Sequence, residues 1–154
     1  MSDIVIGQAV PAFTAQSDQG EIDSTTLAGH PYILYFYPRD NTPGCTTQAQ
    51  NFRDLKDQFD QLNVKVIGVS RDTMASHKRF IDKQALNFPL IADPDESLCE
   101  LFGVMKLKNM YGKQVRGIER STFLIDANGV LVQEWRGLRV PGHVQQVLEA
   151  AQNL

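Results

Sequence analysis

Hydrophobic and polar positions along this chain follow two different periods. Segments 31–37 and 64–69 are continuous runs of aromatic and β-branched residues, which are typical of buried strands. From Thr46 onward, apolar residues recur at steps of three and four, which predicts an amphipathic helix. Its apolar positions are Ala49, Phe52, Leu55, Phe59 and Leu62. The first half of the chain therefore alternates between strands and helices.

Three further helices follow from the same pattern. We predict one over 74–85 and a shorter one over 94–102, which begins after Asp93. The last helix begins at Pro141, because a first helical residue needs no amide hydrogen. Its apolar face consists of Val144, Val147, Leu148 and Ala151.

The remaining apolar segments predict strands. Two short extended segments, 4–6 and 13–15, precede the first buried strand. Segments 117–126 and 130–135 indicate two antiparallel strands, because the Asn-Gly pair in Ala127-Asn128-Gly129 favours a tight hairpin turn. We therefore predict an α/β protein with a central mixed sheet flanked by helices.

Length and composition indicate one domain spanning 1–154. The chain has 154 residues, of which 42% are apolar and 21% charged, enough to bury a substantial core. No internal repeat or flexible linker suggests a boundary. The net charge is −3 and the lysines and arginines are scattered, which argues against nucleic acid as a partner.

The N-terminal segment and the cysteine count indicate where the protein resides. The first residues, MSDIVIGQAVPAF, lack the basic cluster and long apolar run of a signal peptide, and no segment approaches the length of a membrane span. The two cysteines, Cys45 and Cys99, are too few and too far apart for a disulfide framework or a zinc site. We predict a cytoplasmic protein with neither a membrane nor a metal as partner.

The segment PRDNTPGC, residues 38–45, is the strongest candidate for chemistry. It joins the end of a buried strand to the start of a long helix, where functional residues of α/β sheets concentrate. Free amide groups and the positive end of the helix dipole favour a thiolate there, so Cys45 is a candidate nucleophile. The alternative is that Cys45 is a small buried hydrophobic residue.

Three neighbours of Cys45 could shape a binding site. The Thr42 hydroxyl can accept a hydrogen bond from a bound ligand while it donates another, although a threonine here also suits a helix cap. Pro38 and Pro43 fix the backbone and remove two donors, which would form a small apolar collar around the sulfur. Either proline could instead simply end a strand.

The string PRDNTPGC resembles the peroxiredoxin signature, which is Pro, three residues, Thr, two residues and Cys. The stretches FYPRDNTPGCTTQA and NMYGKQVRGIERSTFLID are similar to the bacterioferritin comigratory protein branch, or PrxQ, and the resemblance covers nearly the whole chain. It implies a thioredoxin-like fold, a monomer, no cofactor, and reduction of hydrogen peroxide or organic hydroperoxides. It also implies that the catalytic residues are Pro38, Thr42, Cys45 and Arg120.

The implied reaction is an attack of the Cys45 thiolate on the terminal peroxide oxygen, which yields a sulfenic acid. An arginine such as Arg120 offers a fixed cation and several donors for the developing negative charge, although an isolated arginine is more often a solvated surface charge. We predict surface positions for His30, His77 and His143, so that a Cys/His dyad would depend on folding alone.

The chain departs from this branch at the resolving cysteine. The position five residues after Cys45 is Gln50, and the alternative position in the following helix falls near Ile81. Cys99 is the remaining thiol, and we predict that it packs in the core. The hypothesis is a one-cysteine cycle in which thioredoxin, glutaredoxin or a small thiol reduces Cys45 through a mixed disulfide.

Other classes of function remain as alternatives. A thioredoxin-type disulfide oxidoreductase needs Cys-x-x-Cys, whereas Cys45 is followed by Thr46, Thr47 and Gln48. A redox sensor or thiol-binding module would use oxidation of Cys45 to change contacts with a partner. A scaffold that has lost activity is disfavoured, because the four residues that match the family's active-site residues are intact.

Overall fold

The structure is a computed structural model that describes residues 4–154. In this range the strands are β1 Thr14–Ser17, β2 Gly20–Asp23, β3 Tyr32–Phe36, β4 Lys65–Ser70, β5 Leu90–Ala92, β6 Met105–Met110, β7 Lys113–Ile118, β8 Ser121–Ile125 and β9 Leu131–Arg136. The α-helices are α1 Pro43–Gln61, α2 Met74–Gln84, α3 Ser97–Phe102 and α4 His143–Gln152, and a 3₁₀ turn spans Ser24–Leu27. In these residues no helix is both long and apolar enough to cross a membrane.

The central sheet is mixed, as the sequence predicts. Its seven strands lie in the order β2-β1-β5-β4-β3-β8-β9. The three central strands, β5, β4 and β3, are parallel, and the flanking pairs β1–β5, β3–β8 and β8–β9 are antiparallel. Helical crossovers connect the parallel strands, which places α1 between β3 and β4 and α2 between β4 and β5.

Strand β3 is buried on both faces, which explains its unbroken apolar run. Because successive side chains of a strand point to opposite faces, Ile33 and Tyr35 pack with α1, α2 and α4, whereas Leu34 and Phe36 pack with α3. We call the side covered by α1, α2 and α4 the helical face and the other side the opposite face. Each face has its own hydrophobic core.

Three helices begin at other residues than the pattern predicts. Helix α1 begins at Pro43, three residues before Thr46, because proline suits the first helical position. Helix α3 begins at Ser97 instead of 94, since Glu96 adopts a left-handed φ of 65° and the Asp93 carboxylate accepts hydrogen bonds from the Leu98 and Cys99 amides. Helix α4 begins at His143 instead of Pro141, since its N-cap residue Gly142 has a left-handed φ of 76°. Apolar periodicity does not detect any of these features.

The prediction of one strand over 117–126 is wrong. The segment divides into the end of β7 and the whole of β8, which belong to two different sheets. Strand β7 pairs with β6 in a separate two-stranded sheet, whereas β8 pairs with β3 and β9. Between them the Glu119 amide donates to the Val104 carbonyl, and Arg120 is the last residue of the connection. The β6–β7 hairpin and the three-residue β5 were not predicted.

The N-terminal prediction is also corrected. Residues 4–6 form no strand, because the chain turns at Ile6 and Gly7, although Ile4 is buried in the core of the opposite face. The segment predicted over 13–15 appears one residue later as β1.

Gly68 in the middle of β4 is required by close packing. A Cβ atom at this position would lie 2.7 Å from Leu90 Cδ2 and 2.9 Å from Tyr35 Cζ. We expect Gly68→Ala to lower the free energy of unfolding by about 1–3 kcal/mol, because both neighbours are fully buried and cannot retreat. Urea denaturation measures the effect.

Gly117→Ala is the matched control, since a Cβ there would approach only the Lys108 side chain, at 3.8 Å or more. We expect its free energy of unfolding to stay within about 0.5 kcal/mol of the wild-type value. Equal losses in the two variants would contradict the packing argument.

Candidate active site

Cys45 lies in the first turn of α1, at the carboxyl end of the parallel strands. The side chain is 1% exposed and packs on the helical face. The first turn of α1 contains no acidic residue, so nothing in it opposes the positive end of the helix dipole. The position predicted from sequence is therefore correct, and burial is combined with a field that favours an anion.

Arg120 reaches Cys45 from the connection between β7 and β8. Its Nη2 group donates to Cys45 Sγ at 3.2 Å, and Nη1 donates to the side-chain oxygen of Gln48 at 2.6 Å. Gly44 makes room for this contact, because a Cβ there would lie 3.2 Å from Nη2. Arg120 is thus held against the sulfur and is not a solvated surface charge.

Gln48 is a site residue that the sequence analysis missed. It lies one turn after Cys45 on α1 and is fully buried, so its oxygen holds the Arg120 guanidinium on the side of the sulfur. Its Nε2 group is buried with no hydrogen-bond partner among residues 4–154. The available signal was the spacing, since residues three apart on a helix share a face.

Thr42 and Pro38 occupy the loop that leads to Cys45. Thr42 is the N-cap residue of α1, but its side chain makes no capping hydrogen bond. Its hydroxyl donates to the Arg39 carbonyl at 3.0 Å, which leaves the oxygen lone pairs free to accept. Pro38 is half-buried two residues after the end of β3. All four predicted site residues therefore converge on one end of the sheet.

The prediction of surface positions is wrong for two histidines. His77 and His143 are buried, with 0% and 2% exposure, because each pairs with polar groups inside the fold. The ring nitrogens of His77 contact Asp40 and the Ile91 carbonyl, and Nε2 of His143 contacts the Thr122 hydroxyl. In residues 4–154 the polar contact of Cys45 Sγ is with Arg120, so the structure contains no Cys/His dyad.

The two buried histidines differ in charge. Burial and the nearby Arg120 cation lower the pKa of His143 to about 4, so this ring is neutral at pH 7. Burial also disfavours a charge on His77, but the hydrogen bond and the negative charge of Asp40 outweigh it and raise the pKa of that ring. Burial opposes the charge of Asp40 as well, yet hydrogen bonds from His77 and Tyr37 lower its pKa.

Asp40, Asp72 and His77 are close enough together to suggest a metal ion. However, the facing atoms already have proton donors. Asp40 Oδ2 accepts from Ser76 and His77, and Asp72 Oδ2 accepts from the Ser70 hydroxyl and the Asp40 amide. The cluster is better described as a hydrogen-bonded network.

Cys99 lies on the opposite face of the sheet from Cys45. It is fully buried in α3, its amide donates to Asp93, and both cysteines are unpaired. Burial and the hydrogen bond to Asp93 raise the pKa of the Cys99 thiol far above its ordinary value. A thiol of this kind is protonated and weakly nucleophilic, as expected for core packing.

Comparison with known proteins identifies the family to which this site belongs. The model of the AhpC/TSA family matches residues 6–134. The chain belongs to this family. Peroxiredoxin Bcp of Xanthomonas campestris is 48% identical over 153 residues, which cover 97% of this chain and 96% of the relative. Peroxiredoxin Bcp of Bacillus subtilis is 44% identical over 152 residues, which cover 98% and 97%.

Solved structures agree with the sequence relatives. Peroxiredoxin Q of Xanthomonas campestris has a TM-score of 0.90 at 45% identity, with 99% of this chain and 98% of the other covered. A PrxQ mutant of Xylella fastidiosa has a TM-score of 0.93 at 40% identity and the same coverage. The bacterioferritin comigratory protein of Xanthomonas campestris, studied for alkyl peroxide reduction, has a TM-score of 0.87 at 47% identity, with 92% and 90% covered.

The resemblance to the PrxQ branch is therefore confirmed, and so is the thioredoxin-like fold. Members of this branch are thiol peroxidases, which take a peroxide as substrate and a thiol as reductant. The enzymatic interpretation of the sequence is thus correct, in preference to a sensor or an inactive scaffold.

Proposed function

We propose that Cys45 is the peroxidatic nucleophile of this thiol peroxidase and that Arg120, Thr42 and Pro38 complete its site. The observation that carries the proposal is the 3.2 Å hydrogen bond from Arg120 Nη2 to Cys45 Sγ in the first turn of α1. A fixed cation and the helix dipole both stabilise a thiolate at this position. Cys99 also lies in the first turn of a helix, α3, but its amide donates to the Asp93 carboxylate, and this negative charge opposes a thiolate there.

The chemical step balances without a cofactor. The Cys45 thiolate attacks the terminal oxygen of a hydroperoxide, an S–O bond forms and the O–O bond breaks. The departing oxygen leaves as hydroxide or alkoxide and takes up a proton, which gives water or an alcohol, and Cys45 becomes a sulfenic acid. The Arg120 guanidinium faces the charge that develops on these oxygens, and the Thr42 oxygen can accept the hydrogen bond of the peroxide O–H.

Two observations support a one-cysteine cycle. The positions of a resolving cysteine hold Gln50 and Ile81. Cys45 and Cys99 belong to separate cores on the two faces of the sheet, whereas a disulfide needs Cα atoms within about 7 Å. An intrachain bond would therefore require at least one of the two cysteines to leave its core. An external thiol of thioredoxin, glutaredoxin or a small molecule then resolves the sulfenic acid through a mixed disulfide.

We further propose that the chain acts as a single domain and a monomer in the cytoplasm. The central sheet has one core on each face, and together these cores include apolar residues from both ends of the chain, which supports a single folding unit. The unpaired state of both cysteines fits a reducing compartment. Size-exclusion chromatography with light scattering tests the monomer.

The resolving step is tested with Cys99→Ala. We expect peroxide consumption with dithiothreitol to stay close to the wild-type rate, because Cys99 takes no part in the cycle. Mass spectrometry of peroxide-treated wild type with a small thiol should show an adduct on Cys45. A stoichiometric Cys45–Cys99 bridge within one chain would overturn the one-cysteine cycle and leave the peroxidase function intact.

A further inference from the structure

The loop before Cys45 is tied to the rest of the fold by one buried carboxylate. Asp40 is 5% exposed and accepts three side-chain hydrogen bonds, from the Tyr37 hydroxyl at 2.6 Å, the Ser76 hydroxyl at 2.8 Å and His77 Nδ1 at 2.8 Å. Its own amide donates to Asp72 at 2.9 Å. Asp40 thus joins the loop to the end of β4 and to the first turn of α2.

The hydrogen-bond partners of His77 define its charge. Nδ1 faces the Asp40 carboxylate, and Nε2 faces the Ile91 carbonyl at 2.8 Å. Both partners are acceptors, so each ring nitrogen must carry a hydrogen if both contacts are hydrogen bonds. The ring is therefore an imidazolium, and with Asp40 it forms a fully buried ion pair.

The loop conformation that depends on this pair is unusual. Asn41 follows Asp40 with a left-handed φ of 64°, which is uncommon for a residue other than glycine. Thr42 comes next as the N-cap residue of α1, and its carbonyl accepts a hydrogen bond from the Thr46 amide. A change in the direction of the chain at Asp40 would therefore move both the Thr42 hydroxyl and the first turn that carries Cys45.

We propose that Asp40 and His77 are positioning residues for the peroxidase reaction. Their buried ion pair holds the loop from Pro38 to Thr42 in one conformation, and this conformation presents Thr42 and Cys45 to peroxide. The inference rests on the proposed function of Cys45. Neither side chain contacts the sulfur, so both act through the loop. Breaking one partner of a buried pair leaves an uncompensated charge, which favours rearrangement of the loop.

The pH dependence follows from the charges. Groups from four elements face the Asp40–His77 pair. They are Tyr37 just after β3, Ser70 and Asp72 at the end of β4, Ser76 on α2 and the Ile91 carbonyl of β5. The pKa of His77 is raised, so its contribution is complete below the ordinary value of 6.5 and is lost as the pH rises through the folded pKa. The pKa of Asp40 is lowered, so its contribution is lost only as the pH falls below the ordinary range of a carboxyl.

The first test compares hydrogen peroxide consumption by wild type and His77→Gln from pH 6 to pH 9. We expect the variant to react about 10- to 100-fold more slowly at pH 6, because small displacements of reacting groups have effects of this size. The ratio of the two rates should fall towards one as the wild-type imidazolium loses its proton. A ratio that equals one throughout, or that rises as the pH increases, would overturn the proposal.

Two further variants show whether the slower reaction of His77→Gln is merely a result of lower stability. Leu131→Ala removes a fully buried side chain on the opposite face and should reduce stability without the pH-dependent change in rate. Asp40→Asn combined with His77→Gln removes both charges and should be more stable than either single variant. Imidazole ¹⁵N chemical shifts of the wild type report the charge directly, and a neutral His77 at pH 6 would overturn the proposal.

Amide hydrogen exchange separates this inference from the function on which it rests. Exchange of the Asp40 and Thr46 amides should accelerate in His77→Gln and not in Leu131→Ala, whether or not peroxide is reduced. Unchanged exchange would overturn the positioning role, although peroxidase activity of Cys45 would stand. A wild-type protein no faster than free thiol would instead overturn the proposed function.

Discussion

Cys45→Ser should lower the second-order rate of hydrogen peroxide reduction by more than about 10³-fold, to the background of the reductant alone. A serine hydroxyl is not ionised at neutral pH, so the contact with Arg120 cannot supply a nucleophile there. Stopped-flow measurement of peroxide consumption with dithiothreitol gives the rate. Cumene hydroperoxide in the same assay gives the rate for an organic substrate.

A control experiment checks that Cys45→Ser still folds. We expect that it does, because serine and cysteine side chains are nearly the same size and Cys45 is buried. Circular dichroism and urea denaturation should show a folded protein with little change in stability. The assignment would be wrong if Cys45→Ser kept its activity while Cys99→Ala lost it.

Arg120→Ala should slow the reaction with peroxide by about 10²–10³-fold, the usual effect of removing one fixed donor from a developing anion. The guanidinium contacts both Cys45 Sγ and the Gln48 oxygen, so one side chain fixes the sulfur and faces the reacting oxygens. Arg120→Lys should remain strongly impaired, since a single ammonium group cannot reproduce the two parallel contacts. Rates at several peroxide concentrations separate binding from the chemical step.

Arg53→Ala is the matched control on the same helix. Arg53 lies two turns after Cys45, and its guanidinium contacts the Gln84 carbonyl and Asp54 instead of the sulfur. Its rate with peroxide should be close to that of wild type. Equal losses in Arg53→Ala and Arg120→Ala would indicate a general effect of positive charge and would contradict a specific role for Arg120.

The hydrophobic pattern predicted the central part of the fold well. The unbroken run in β3 and the helical spacing of Ala49, Phe52 and Phe59 depend on local periodicity, which the structure preserves. Local periodicity cannot show where a strand changes partner, so the division between β7 and β8 was missed. That division matters, because it places Arg120 in the connection between two sheets.

The histidines also show that local sequence patterns do not reveal contacts between distant residues. His77 and His143 both lie in helices, and surface positions were predicted for them because histidine is a polar residue. Their partners are separated by 37 residues for His77 and Asp40 and by 21 for His143 and Thr122. Because burial of a polar ring depends on such distant partners, sequence alone could not predict it.

The sequence by itself determined the position of the candidate nucleophile, since a cysteine that follows a buried strand and opens an amphipathic helix meets the positive end of the helix dipole in any such fold. It also determined that the two usual positions of a resolving cysteine hold other residues. Only the tertiary structure decided which charges meet the sulfur and the loop. The contacts of Arg120 with Cys45 and of His77 with Asp40 join residues 75 and 37 positions apart, and hydrogen bonds at that separation exist only after the strands have assembled.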